Sequence, residues 1–319
     1  MCVMIAKYLE NEGGWVGVKN RDRNYKPTIK IKQSFKEDIE SIYIYDSITK
    51  FSEGMNEYGI CILNTATQVK NDESESSQAR HQLKKKKKKL GVYYSFDGVI
   101  IRKALKTKKI EEAIKILIEN ELKGNFLVFN KDVCYILEGG SDEESYRAEM
   151  EKTKEDSEYE WEKLPYVYVK KEISKNKIAI RTNHGIFLDW MGYDPDSDNE
   201  HTVLSRKSSD NRYDVALKNV KEATTPEGML RAISDISNKN PQMNPLRVDN
   251  INSNKTLKTT AQIMLNPNDN RLTFRPIWGV TSAENFGKIN NHKSKLYLNF
   301  LSYKLNETTS FKEFYNSMI

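Results

Sequence analysis

The sequence predicts an α+β fold built from layered antiparallel sheets, and three observations point there. Short apolar strands come in pairs around turn residues, helical periodicity is confined to stretches between those pairs, and no glycine-rich nucleotide-binding motif accompanies them. The 319 residues suffice for one large domain or two ordinary ones; with 38% hydrophobic residues and no linker-like break we read one domain over 1–319.

Taken in order, the strand-like run around Val3, Ile5 and Tyr8 meets Trp15-Val16-Gly17-Val18 across Asn11-Glu12-Gly13-Gly14, a hairpin signal. A second strand pair is predicted at 29–31 and 41–45, and Gly54-Met55-Asn56-Glu57-Tyr58-Gly59 reads as a turn feeding the strand 60–63. Residues 70–90 are acidic and serine-rich, then basic, and like charges that repel one another stay solvated, so a flexible surface loop is expected. A polybasic tether to membrane or nucleic acid is the alternative there. Ile100, Ala104, Ile110, Ala113, Ile114 and Leu117 recur at helical spacing and predict a helical region over 95–120, stopped by Gly124-Asn125. Strands are predicted at 126–129 and 133–137, a charged insertion at 141–162, and further strands at 166–169 and 177–182. Residues 215–236 read as helical, with Thr224-Thr225-Pro226-Glu227 as a start signal, and a last hairpin joins 259–265 to 271–277.

Composition excludes several function classes. Lys84 to Lys89 account for the whole net charge of +6, so the rest is near neutral and no specific nucleic-acid partner is expected. No apolar run approaches about 18 residues, and a membrane span is not expected. Three widely spaced cysteines, Cys2, Cys61 and Cys134, suit neither a disulfide framework nor a zinc site, and a reducing, cytoplasmic setting is expected. Cys61 and Cys134 lie in apolar strands and read as core. The acidic residues Asp189, Asp194, Asp196 and Asp198 lack calcium-loop spacing, and neither metal nor cofactor is expected.

The chemistry-bearing feature is Cys2. A thiol needs a base near neutral pH, and a free α-amino group, with a pKa of about 7.7–8.0, can accept its proton. Removal of Met1 would therefore place nucleophile and base in one residue. A hairpin then brings Lys19-Asn20-Arg21-Asp22 back toward it, with an Asx turn as the plainer reading of Asp22.

At this point the chain resembles the N-terminal nucleophile hydrolases of the choloylglycine hydrolase, penicillin V acylase and penicillin acyltransferase type. Those begin with Cys and carry (Arg)-Asn-x-Asp about twenty residues on; here it reads Lys19-Asn20-Arg21-Asp22. Similar elements follow in order: Gly54 to Ile60, a strand ending in Leu63-Asn64, Asp97-Gly98 through Glu138, Arg181-Thr182-Asn183-His184-Gly185, Ser208-Ser209-Asp210-Asn211-Arg212-Tyr213, and the late hairpin from Thr259. The resemblance implies a four-layer αββα sandwich of two antiparallel sheets and cleavage of a linear amide by Cys2 through a thioester. It also implies that Asp22 orients the amine, Asn64 and Asn183 stabilise the oxyanion, and Arg212 fixes Cys2 and Asp22, with Arg206 as the competing arginine. Lys19, Asn20, Arg21 and His184 are expected as supporting or substrate-facing residues. A small-molecule amide is the implied partner, and relatives of this type are often homo-oligomers. An acyltransferase passing the acyl group to an amine, and a non-catalytic protein retaining the sandwich, are the alternatives. Lys19 departs from the arginine of the pattern and loses its planar fork, which Arg21 could supply if it reaches the site.

Overall fold

The computed structural model describes residues 2–23, 25, 27–36, 38–67, 97–155, 164–192, 200–248, 257–277 and 295–300. Met1, the charged loop at 70–90 and the end of the charged insertion lie outside the described residues.

Six strands form the first sheet: β1 (Cys2–Leu9), β2 (Gly14–Arg23), β10 (Ile178–Arg181), β11 (Lys258–Asn266), β12 (Arg271–Pro276) and β13 (Tyr297–Phe300), ordered β10-β1-β2-β11-β12-β13. All neighbours are antiparallel except β13, which runs parallel to β12. The second sheet is antiparallel throughout and follows chain order: β3 (Ile29–Lys36), β4 (Ile39–Asp46), β5 (Ser52–Asn56), β6 (Cys61–Thr65), β7 (Gly124–Phe129), β8 (Cys134–Ser141) and β9 (Tyr166–Glu172).

Three cores separate four layers. Met4, Ala6, Trp15, Ile263 and Phe274 of the first sheet pack between the sheets against Ile44, Met55, Leu63, Leu127 and Phe129 of the second. The outer face of the first sheet, with Val3, Ile5, Val16 and Val18, carries helices α4 (Glu200–Lys221) and α5 (Pro226–Ala232). The outer face of the second, with Ile60, Ile62, Phe126 and Val128, carries α1 (Asp97–Ala104) and α2 (Ile110–Glu119). A further helix, α3 (Glu143–Glu155), occupies the charged insertion. The result is an α+β sandwich in the order helices, sheet, sheet, helices. Burial on both faces explains why β1 reads as an almost unbroken apolar run rather than an alternating one.

The sheets approach closely where Gly17 faces Phe129; a Cβ there would stand 2.3 Å from the ring. Gly17→Ala should therefore overpack this contact and cost about 1–3 kcal/mol. A lowered urea midpoint, partly restored by Phe129→Leu, checks this.

Several boundaries differ from expectation for identifiable reasons. The helical region at 95–120 is two helices because Asn56 Nδ2 donates to the carbonyls of Leu105 (3.1 Å) and Thr107 (2.7 Å), between α1 and α2. The Asn56 Oδ1 accepts the N–H groups of Tyr58 and Ile60, both at 3.0 Å. The Gly54-x-Asn56 element is thus half strand and half turn, and it braces two layers. Gly124-Asn125 opens β7 rather than ending a helix. The helix expected over 215–236 is α4, which begins much earlier, and then α5, started as predicted by the Thr225 cap onto Gly228 N (3.1 Å).

Candidate active site

The residues singled out in the sequence converge at one end of the sandwich, where β1 begins and β2, β6 and β10 end. Strand alternation sorts them. On β2, Lys19, Arg21 and Arg23 share the face of Trp15 toward the second sheet, while Asn20 and Asp22 share the face of Val16 and Val18 toward the helices. Asp22 lies inside this strand, opposite Thr259, and not in an Asx turn.

Cys2 pairs with Arg21 across the hairpin and is buried, 3% exposed. Its backbone N–H donates to Asn183 Oδ1 and its carbonyl accepts from Arg212 Nη1 at 2.9 Å. Arg212 Nη2 also reaches Asn183 Oδ1 at 3.5 Å. Arg23 Nη1 lies 3.7 Å from the thiol. Burial alone would raise the thiol, but surrounding positive charge, Lys19 first, outweighs it and brings the pKa down to about 7. Burial pushes the thiols of Cys61 and Cys134 up, as core cysteines require.

Asp22 is fully buried on the helix side. Thr259 Oγ1 donates to its Oδ1 at 2.8 Å, and Arg247 Nη1 and Arg212 Nη1 lie 3.5 and 3.8 Å from Oδ2. No hydrogen bond links Asp22 to the Cys2 nitrogen; Arg212 connects them. Of the two competing arginines, Arg212 is the buried one, whereas Arg206 pairs with Asp210 one helical turn away at 3.2 Å. Asn20 Nδ2 binds the carbonyls of Ile233 (2.6 Å) and Pro245 (2.7 Å) and so holds the loop after α5.

Between the sheets, Lys19 Nζ donates to the Asn64 carbonyl and pairs with Glu53 at 2.6 Å. Arg21 turns to Asp46 (2.7 Å) and stands 3.8 Å from Glu53, so it does not reach Cys2. Asp46, which also accepts from Tyr25 at 2.6 Å, is held down to about 2: burial raises it, and Arg21 more than offsets that. The Asn64 side-chain oxygen is buried without a hydrogen-bond partner among the described residues.

Asn183 is held from several sides. Its Nδ2 donates to the Ala66 carbonyl (2.7 Å) and its N–H to Ser209 Oγ (3.1 Å). Asn125 Nδ2 grips the carbonyls of Thr182 (3.0 Å) and His184 (2.9 Å), and the buried Thr65 hydroxyl binds that of Thr182 as well. Glu138, paired with Arg181 at 2.6 Å, accepts the N–H groups of Ile186, Phe187 and Leu188 and so fixes the loop beyond. Gly192 packs onto the Asn183 carbonyl at φ +99°, where a side chain would be both strained and crowded.

His184 lies beside this network, with Nδ1 2.8 Å from Ser209 Oγ and Nε2 3.3 Å from the half-exposed Asp210 carboxylate. Burial, and then Arg206, Arg212 and Arg181, lower the imidazole pKa to about 3. His184 is therefore neutral at pH 7 and hydrogen-bonds Ser209. Its folded pKa lies below the unfolded value of 6.5, so the unfolded chain binds the extra proton between those limits. Its contribution to stability is complete above pH 6.5 and is lost as pH falls toward 3. Denaturant titrations should show that slope, and His184→Gln should flatten it.

No protein-family model and no curated protein matches the sequence. Among solved structures the chain is similar to a penicillin V acylase from Agrobacterium tumefaciens, at 10% identity and a TM-score of 0.41, over 94% of this chain and 95% of that one. At that distance the residue roles rest on the geometry alone. No helix among the described residues is long and apolar enough to cross a membrane, and no group of three or more metal-ligating side chains occurs among them.

Sequence reasoning missed Arg23, Glu53, Asp46, Arg247 and Thr259. Arg23 carried a usable signal, since it follows Lys19 and Arg21 at the two-residue period of a strand face. The carboxylates on β4 and β5 carried none, because only tertiary packing brings those strands opposite β2.

Proposed function

We propose that the protein is an amidohydrolase that cleaves linear amides with Cys2 as nucleophile, acting once Met1 has been removed. One observation carries the reading: of three buried cysteines, only Cys2 lies among cations that bring its thiol near pH 7, while its backbone is clamped on both sides by Asn183 and Arg212.

In this reading Sγ attacks the amide carbonyl carbon and its proton passes to the free α-amine of Cys2. The same amine protonates the departing nitrogen as the C–N bond breaks, leaving a thioester. Water then adds with the amine as base, releasing the acid and restoring the thiol. Asn183 Oδ1, which accepts from the Cys2 nitrogen, would aim the amine's lone pair. The Asn64 side-chain amide would donate to the oxyanion, as the resemblance implies, whereas the Asn183 amide nitrogen is engaged by the Ala66 carbonyl and would have to release it to serve as a second donor. Lys19 braces the Asn64 backbone, and Asp22 acts through Arg212 as a positioning residue.

Intact mass and thiol alkylation test this together. Cys2 should be modified by iodoacetamide with a midpoint near pH 7, Cys61 and Cys134 should be spared, and the active species should lack Met1. Retained Met1 with an inert Cys2 would sink the reading.

A further inference from the structure

The face of β2 toward the second sheet carries three cations, Lys19, Arg21 and Arg23, gathered around the Phe51 ring at 4.9, 5.6 and 5.1 Å from its centroid. Buried cations require a counter-charge. Glu53 matches Lys19 at 2.6 Å, and Asp46 matches Arg21 at 2.7 Å. For Arg23, no carboxylate lies within ion-pair distance among the described residues. Its Nη1 is taken by the Asp22 carbonyl at 2.6 Å and by the Cys2 sulfur at 3.7 Å, and among the described residues no hydrogen bond engages Nε or Nη2. Unlike Lys19 and Arg21, Arg23 is only partly buried.

Asp46 and Glu53 favour the charged Arg23 from beyond ion-pair distance, and the thiolate adds to them only while it is a thiolate. When Cys2 is acylated the sulfur is neutral, and Arg23 is left beside it with two donors arranged as a fork that matches a carboxylate. We infer that Arg23 is an anion-binding subsite beside Cys2, and that the site takes amides bearing a carboxylate close to the scissile carbonyl. The substrate part of this inference rests on the amidohydrolase reading; the anion site does not.

Charge-selective alkylation tests the subsite without any substrate. Iodoacetate and iodoacetamide both react through the thiolate, so the ratio of their rates at Cys2 cancels any change in ionised fraction. That ratio should fall roughly tenfold in Arg23→Gln, the size of one charge-assisted hydrogen bond, and Arg23→Lys should lie between. An unchanged ratio overturns the inference. If Arg23→Gln does not fold, the unaltered chain decides: glutarate should protect Cys2 from iodoacetamide at concentrations where glutaramide does not, and equal protection overturns the inference. Glutaryl-p-nitroanilide should then be cleaved with a kcat/KM roughly tenfold above that of its methyl ester. Ester and acid cleaved equally overturn the substrate class and leave the amidohydrolase intact. Charge-selective alkylation with no anilide cleaved removes the amidohydrolase reading and leaves the anion site.

Discussion

Cys2→Ala should abolish amide cleavage while leaving thermal stability nearly unchanged. The substitution removes one sulfur and keeps the methylene that packs at the start of β1, and the two contacts that fix this residue come from its backbone, not its side chain. Loss of the sulfur forfeits covalent catalysis entirely, whereas the packing cost of so small a truncation is about 1 kcal/mol. Activity on acyl-anilides and a melting curve are read from one preparation. Full activity with a large loss of stability would mark Cys2 as a core residue and end the catalytic assignment.

Asp22→Ala should have the largest effect on stability of any single change in the site. It leaves Arg212 and Arg247 buried with no carboxylate between them and strips the Thr259 hydroxyl of its acceptor. Removing one partner of a buried charge group costs about 3–5 kcal/mol. The loss should appear as a lower denaturant midpoint with an unchanged slope, and a ΔΔG below about 1 kcal/mol would show that the arginines find other partners. Asp22→Asn, which keeps the Thr259 hydrogen bond, should recover part of the stability but little activity, because Arg212 would lose the charge that steadies it against Cys2.

What could be read in the sequence followed hydrophobic pattern, and what could not be read were the places where polar residues take core positions. The hairpins of β1 with β2 and β11 with β12 announced themselves through apolar runs and turn residues. The first half of α4 did not: its inward positions are Ser205, Ser208, Ser209 and Arg212, spaced as a helix core but polar, continued only later by Ala216 and Val220. Likewise Asp22 carried an Asx turn as its plainer reading because charged residues seldom fill a buried strand. Cys2 was singled out by its chemistry, Asn183 and Arg212 by resemblance, and the structure brings all three into direct contact. The paired carboxylates of Glu53 and Asp46 lay beyond reach, since nothing in the order of residues says which distant strand faces which.

The separation of these partners along the chain has a consequence for the life of the molecule. Residue 2 leaves the ribosome long before the groups that hold it: the Asn183 amide at its nitrogen comes 181 residues later, and the Thr259 hydroxyl that anchors Asp22 lies 237 residues beyond that aspartate. Contacts of such range form late, because the intervening chain must first be closed. On the proposed reading, the thiol keeps an ordinary pKa during synthesis and meets the cations that lower it when the two sheets close over it. On that reading, a chain stalled before β11 would carry its nucleophile in an unactivated form.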